Sequence, residues 1–212
     1  MAGQEAFENV TDGIVILLMS ALVLAVYLSW LASYRAPKSA PVGSSLWFKL
    51  PVWGQIAVGL GVSLLGVFIS CVLWKPLPLT ASRNLSLLLR IAGVLLISGG
   101  TALWFWARQT LGTMMGVSTG SAAQLRVEHR LIQTGPYAFV RHPMYLSYWL
   151  VLAACVMTYR TWTPLLFLIL MLIALSRRAQ REERVLAAEF GAEWHAYAAR
   201  VPMFVPLHLT NS

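Results

Sequence analysis

The chain has 212 residues, 58% of them hydrophobic and only 11% charged, with a formal net charge of +8. A water-soluble domain carries roughly a quarter charged residues, so this composition excludes a soluble enzyme and predicts a single all-α integral membrane domain. The basic excess reads as membrane topology; no basic run interleaved with aromatics suggests a nucleic-acid groove.

The polar, acidic start (Gln4, Glu5, Glu8, Asp12) lacks the basic region of a cleaved signal peptide. The apolar run 13–32 is therefore predicted to stay as a first span, followed by runs 52–74 and 85–106 as the second and third. Within the second run, Gly59-Leu60-Gly61 has no strand before it and no βαβ unit around it, so it reads as close helix packing through small residues. Arg90, about two turns into the third run, reads as an arginine that snorkels to the interface. Residues 109–124, rich in Gly, Ser and Thr, predict a connector with little helix propensity.

Two shorter apolar runs follow, 145–158 and 162–175. Only Tyr159, Arg160 and Thr161 separate them, which predicts a tight helical hairpin, and Pro143 and Pro164 suit the first turns of its helices. Residues 177–200 are amphipathic: Leu186, Phe190, Trp194 and Tyr197 recur at helical spacing, and Glu182 and Glu183 stand one turn earlier. Gly191 is expected to interrupt that helix. Cys71 and Cys155 both lie in apolar runs and read as small buried hydrophobes, with neither disulfide nor zinc spacing available. The expected organisation is about five spans in one membrane domain, three of them within 1–107, and a site-bearing core over 108–212.

Orientation follows from the basic residues. With the N-terminus outside, Arg35, Lys38, Lys49, Arg108, Arg126, Arg130, Arg141, Arg177, Arg178, Arg181, Arg184 and Arg200 fall inside. Those are twelve of the sixteen, leaving Lys75, Arg83, Arg90 and Arg160 at or near the outer face. The multi-pass protein then has its C-terminus and both of its polar clusters on the cytoplasmic face.

The first cluster runs from Val127 to Tyr145 and includes His129, Arg130, Gly135-Pro136-Tyr137, Arg141-His142-Pro143 and Tyr145. The second is Arg181-Glu182-Glu183-Arg184. Polar groups beside hydrocarbon are costly to desolvate, so two such clusters at one membrane face point to a small, charged ligand. A lone arginine beside a span ordinarily anchors it at the interface. Here Arg141 and His142 directly precede a proline-started helix, whose backbone amides favour anions, and the guanidinium adds a bidentate carboxylate fork. Glu182 and Glu183 either pair with Arg178 or Arg184 along the helix or accept hydrogen bonds from a ribose diol or an ammonium group. His129 reads equally as a surface histidine or as a contact to a heterocycle; His195 and His208 carry no predicted role.

On these residues the chain resembles the isoprenylcysteine carboxyl methyltransferase family and its bacterial and archaeal members. The match consists of His129 through Tyr137, Arg141-His142-Pro143-Met144-Tyr145, Glu182-Glu183 with Leu186, Phe190-Gly191 and Tyr197, and a closing Val201-Pro202 with Pro206. The resemblance covers residues 111–206. It implies a five-span membrane enzyme that uses S-adenosylmethionine and takes a lipophilic or lipidated substrate from the bilayer. It also implies that His129, Leu131, Gly135, Tyr137, Arg141, His142, Pro143, Tyr145, Glu182 and Glu183 line the cofactor site. Arg141, Glu183 and His142 are then the candidate catalytic residues: Arg141 to hold a carboxylate of cofactor or substrate, the glutamates to hold the cofactor's polar groups, His142 to orient it. Ser147 departs from a glycine, and Met203 from an arginine, that are common in the family. Carboxyl O-methylation of an isoprenylcysteine-like substrate is the leading expectation. Phospholipid N-methylation and thiol S-methylation stand beside it, with a NADPH-dependent membrane reductase and a non-catalytic membrane binding protein as the other classes.

Overall fold

The computed structural model describes residues 2–34, 51–112 and 131–205. Its helices are α1 (Ala2–Tyr34), α2 (Val52–Leu73), α3 (Arg83–Leu111), α4 (Pro143–Tyr159) and α5 (Trp162–Arg200), with a 3-10 turn at Gly135–Ala138. Among the described residues the only bridge of β type is an isolated one between Pro76 and Thr161. Three helices, α1, α3 and α5, are long and apolar enough to cross a membrane, while α4 and the apolar stretch Ala57–Leu73 of α2 are shorter. Five helices are thus present among the described residues, where about five spans were expected. Their outward faces carry Leu17, Val23, Leu64, Phe68, Leu88 and Leu95, each more than 60% exposed. Such apolar faces are untenable in water and natural in lipid, so this is a membrane protein.

Local chemistry sets the helix ends. Ser82 caps α3 by accepting the amide hydrogen of Leu85. Pro143 occupies the first position of α4, where its missing N–H costs nothing. The α4–α5 hairpin turns at Arg160, which adopts the left-handed conformation (φ 50°). The α2–α3 loop braces that turn: the Leu77 amide donates to the Arg160 carbonyl (2.8 Å) and the Trp162 amide to that of Lys75 (3.0 Å). α5 continues from the apolar run into the amphipathic piece, which the sequence presented separately, as far as Gly191. From Trp162 to Phe190 it spans about 44 Å at 1.5 Å per residue, well beyond the hydrocarbon thickness of roughly 30 Å. It therefore crosses the membrane and leaves it, and the exit lies where Arg177, Arg178 and Arg181 to Arg184 begin. The expected break is found at Gly191, whose φ of 50° and ψ of −120° no other residue type adopts readily.

The core is the α3–α4 seam, with Ile97, Trp104, Val151, Ala154 and Cys155 buried against Val15 and Leu22 of α1. Glycines permit the close approach. A Cβ at Gly93 would collide with the Thr158 hydroxyl and come within 3.0 Å of the Ala154 carbonyl, and one at Gly100 would lie 3.0 Å from a Val151 methyl. The small-residue packing expected at Gly59 and Gly61 is not found, since a Cβ at either would meet nothing within 4 Å. Gly59 and Gly61 lie on a face of α2 turned away from the seam. Cys71, also on α2, is exposed, whereas Cys155 is buried as expected.

Arg90 also departs from expectation. Instead of snorkelling, its guanidinium reaches α1, bonding Asp12 (2.7 Å) and Thr11 (3.1 Å), with Glu8 at 3.8 Å. A charge near hydrocarbon is held more cheaply by a counter-ion than by reaching for water. This clamp and the braced hairpin occupy the end of the bundle where α3 starts and α4 finishes. Arg108 marks the opposite end, bonding the Gly112 carbonyl (2.8 Å) and the Ser29 hydroxyl of α1. The start of α4 and the charged half of α5 share that second end.

Replacing Gly93 by valine should lower the thermal stability of the detergent-solubilised protein, overpacking of this kind costing about 1–3 kcal/mol. Gly61→Ala, on the open face of α2, should be neutral or slightly stabilising in the same melt.

Candidate functional site

The 3-10 turn at Gly135–Ala138 brings the chain into α4. Gly135 has φ 59°, and a Cβ there would press on the Thr110 side chain of α3 at 2.7 Å, so the position requires glycine twice over. Tyr137 is buried beneath the turn, and Tyr197 of α5 donates a hydrogen bond to the Tyr137 carbonyl (2.7 Å). Burial, with Tyr197 and Glu182 close by, pushes the Tyr137 phenol well up from its ordinary value, so it stays protonated.

Arg141 and His142 stand at the start of α4, opposite the point where α5 leaves the apolar layer. Arg141 donates from Nε to Glu183 Oε1 (2.8 Å), from Nη2 to Glu183 Oε2 (3.3 Å) and from Nη1 to the Ala198 carbonyl (2.7 Å). Its guanidinium also lies over the Trp194 ring, 5.7 Å from the centroid. The bidentate fork is thus present, but the carboxylate it grips belongs to the protein. His142 Nε2 lies 3.3 Å from Glu183 Oε1, and its ring stacks nearly parallel on Tyr145 at 5.3 Å. Tyr145 donates its hydroxyl proton to Glu182, whose two oxygens are both 2.7 Å away. Arg178 closes the cluster by donating from Nε to Glu182 Oε1 (3.1 Å), the pairing along the helix that was weighed from the sequence.

Two carboxylates, two guanidiniums and an imidazole therefore interlock across α4 and α5. The Arg141 and Glu183 side chains are 12% and 17% exposed, so water screens the pair poorly and it matters more than a surface salt bridge. The two guanidiniums balance the two carboxylates, which suits a ligand that itself carries both signs.

The structure brings Arg141, His142, Pro143, Tyr145, Glu182 and Glu183 together. Gly135 and Tyr137 form the turn beneath. Leu131 packs with Trp194, Tyr197 and Val201 in a small apolar cluster rather than against the charges. His129 lies outside the described residues. The amides of Arg141 and His142, just before α4, donate to the carbonyls of Pro202 (2.9 Å) and Met203 (3.1 Å). The segment 201–204 thus closes over the Arg-His-Pro step, and Phe204 packs on both His142 and Trp149. Sequence reading missed Phe204, Ala198 and Trp194 as partners of the site. Only the aromatic recurrence at Phe190, Trp194 and Tyr197 hinted at them, since backbone acceptors leave no trace in residue type.

The geometry can be set beside known proteins. Residues 92–188 match the model of the isoprenylcysteine carboxyl methyltransferase family. A stretch of 87 residues is 31% identical to the protein-S-isoprenylcysteine O-methyltransferase of Schizosaccharomyces pombe (strain 972 / ATCC 24843). That stretch is 41% of this chain and 37% of the relative, so the chain matches well under half of the relative's length. The family match takes in most of α3, all of α4 and the first part of α5, including every member of the charged cluster. It stops short of Trp194, Tyr197 and the closing segment.

A double-mutant cycle on Arg141→Ala and Glu183→Ala, read by thermal unfolding, should give a coupling of about 1.5–3 kcal/mol, the range for a hydrogen bond to a charged group. A coupling near zero would mean that the pair is not formed in solution.

Proposed function

Starting from the family resemblance over residues 92–188, we propose that this membrane protein is an S-adenosylmethionine-dependent methyltransferase. Its leading reaction is carboxyl O-methylation of an isoprenylcysteine-like substrate taken from the bilayer. The observation that carries the reading is the charge-balanced cluster of Arg141, His142, Tyr145, Arg178, Glu182 and Glu183, located inside the matched segment at the membrane exit of α5. Orientation by the positive-inside rule puts that end in the cytoplasm, where a soluble cofactor arrives.

The residues present fit the cofactor. It carries an ammonium, a carboxylate, a ribose diol and a sulfonium, and the cluster offers acceptors for the first and third and cations for the second. When bound, it supplies a methyl group already activated by the positive sulfur. Glu182 and Glu183 would accept hydrogen bonds from the ammonium or the diol, exchanging part of their hold on Tyr145 and Arg141. Arg141 and Arg178 would hold the two glutamates in register and keep the site near neutral. The stacked rings of His142 and Tyr145, with Phe204 behind, would exclude water from the side of the transfer path. A carboxylate acceptor is already ionised, so no strong base is needed and alignment supplies most of the rate. An amine or thiol acceptor must shed a proton, for which His142 or a glutamate is the nearest taker.

Transfer of labelled methyl from S-adenosylmethionine to N-acetyl-S-farnesylcysteine by the purified protein tests this. Base-labile label, released as methanol, is expected from an ester; base-stable label would redirect the assignment to N- or S-methylation, and no label with any lipid extract would defeat the enzyme reading. Arg141→Ala and Glu183→Ala should each lower kcat/KM by about a hundredfold, the scale of a misplaced reactant, while the melting temperature shows the variants still folded.

A further inference from the structure

The donors of the charged cluster are mostly spent within the protein. Arg141 gives its Nε and both Nη atoms to Glu183 and Ala198, Tyr145 gives its hydroxyl to Glu182, and Tyr197 gives its own to the Tyr137 carbonyl. Tyr148 is different. Its oxygen accepts the indole N–H of Trp104 at 3.0 Å, and among the described residues its own proton has no acceptor. The side chain is wedged between α3 and the start of α4, packed against the core. Three positions after Tyr145, it lies on the same side of α4, about 4.5 Å further along the axis and hence deeper in the apolar layer.

Arg178 is the second donor with capacity left. Its Nε holds Glu182 (3.1 Å), its guanidinium lies 5.6 Å from the Tyr145 ring centroid, and neither Nη atom has a partner among the described residues. It acts electrostatically on Tyr148 as well as on Tyr145. A phenol whose oxygen is fixed by an indole N–H and whose proton is uncommitted presents that proton in one direction. With the positive charge of Arg178 acting on it as well, it forms a receptor for a negative charge. One turn deeper along α4 than Tyr145, it stands where the head of a molecule anchored by a lipid tail would stop.

We propose that the Tyr148 hydroxyl receives the acceptor carboxylate of the lipophilic substrate. Trp104 is then a positioning residue, holding the phenol so that its proton faces that carboxylate. This rests on the methyltransferase reading and adds a division of labour: Arg141 organises the cofactor side through Glu183, and Tyr148 selects for an anionic substrate head.

The test is direct binding of N-acetyl-S-farnesylcysteine and of its uncharged carboxamide to the detergent-solubilised protein, with S-adenosylhomocysteine binding measured alongside. Wild type should prefer the acid over the amide by roughly tenfold or more, the worth of one hydrogen bond to a charged group. Tyr148→Phe should lose most of that preference while S-adenosylhomocysteine affinity and melting temperature hold. Trp104→Phe, which keeps the hydroxyl but releases it, should lose part. Equal affinity of wild type for acid and amide, or an undiminished preference in Tyr148→Phe, overturns the carboxylate subsite. Failure of wild type to bind S-adenosylhomocysteine overturns the methyltransferase reading and leaves the acid-over-amide preference to be judged by itself.

Discussion

The ion pair between Arg141 and Glu183 is the constraint on which the rest of the site depends. It joins residues 42 positions apart, one at the start of α4 and one on α5 just beyond the apolar layer. A guanidinium at that depth needs a counter-ion, and supplying one from α5 fixes the angle at which the long helix leaves the membrane. With that angle set, Glu182 meets Tyr145 and Arg178, and His142 lies against both glutamates. The bend at Gly191 then turns the last part of α5 back, so that Trp194 reaches the Arg141 guanidinium, Ala198 offers it a carbonyl and Tyr197 holds the turn at Tyr137. Remove the pair and each of these contacts loses its alignment.

A cluster whose donors are so largely paired has a consequence for binding. Its partners are already desolvated and oriented, so a ligand gains from preorganisation rather than from ordering loose side chains. It must also exchange contacts with groups that hold one another, which favours a ligand carrying charges of both signs over a simple anion or cation. A lone phosphate or chloride could satisfy the arginines only by leaving two glutamates with nothing in return. The proposed division between a cofactor side built on glutamates and a substrate side built on Tyr148 follows from where donors are spent and where they are not.

Much of this was legible in the sequence, and the rest was hidden for physical reasons. Hydropathy located the helices because lipid demands long apolar runs. The prolines at 143 and 164 and the glycine at 191 marked helix starts and a break because those residues alone have strong backbone preferences. Arg141, His142, Tyr145 and the two glutamates stood out because charges are rare in such a chain. What the residue pattern could not show was pairing. It could not tell that the Arg141 fork is occupied by Glu183, that Arg90 reaches α1 instead of the interface, or that the close glycines are Gly93 and Gly100 and not Gly59 and Gly61. Each depends on which helix faces which, a three-dimensional fact. The carbonyls of Pro202, Met203 and Ala198 were invisible for a simpler reason: every residue has one.

The most direct measurement is calorimetric titration of the purified wild-type protein with S-adenosylhomocysteine, with NADPH as the comparison ligand under the same conditions. Micromolar binding of S-adenosylhomocysteine with no binding of NADPH is the predicted result. Silence with S-adenosylhomocysteine, or tighter binding of NADPH, would contradict the assignment of the Arg141–Glu183 cluster to a methyl donor.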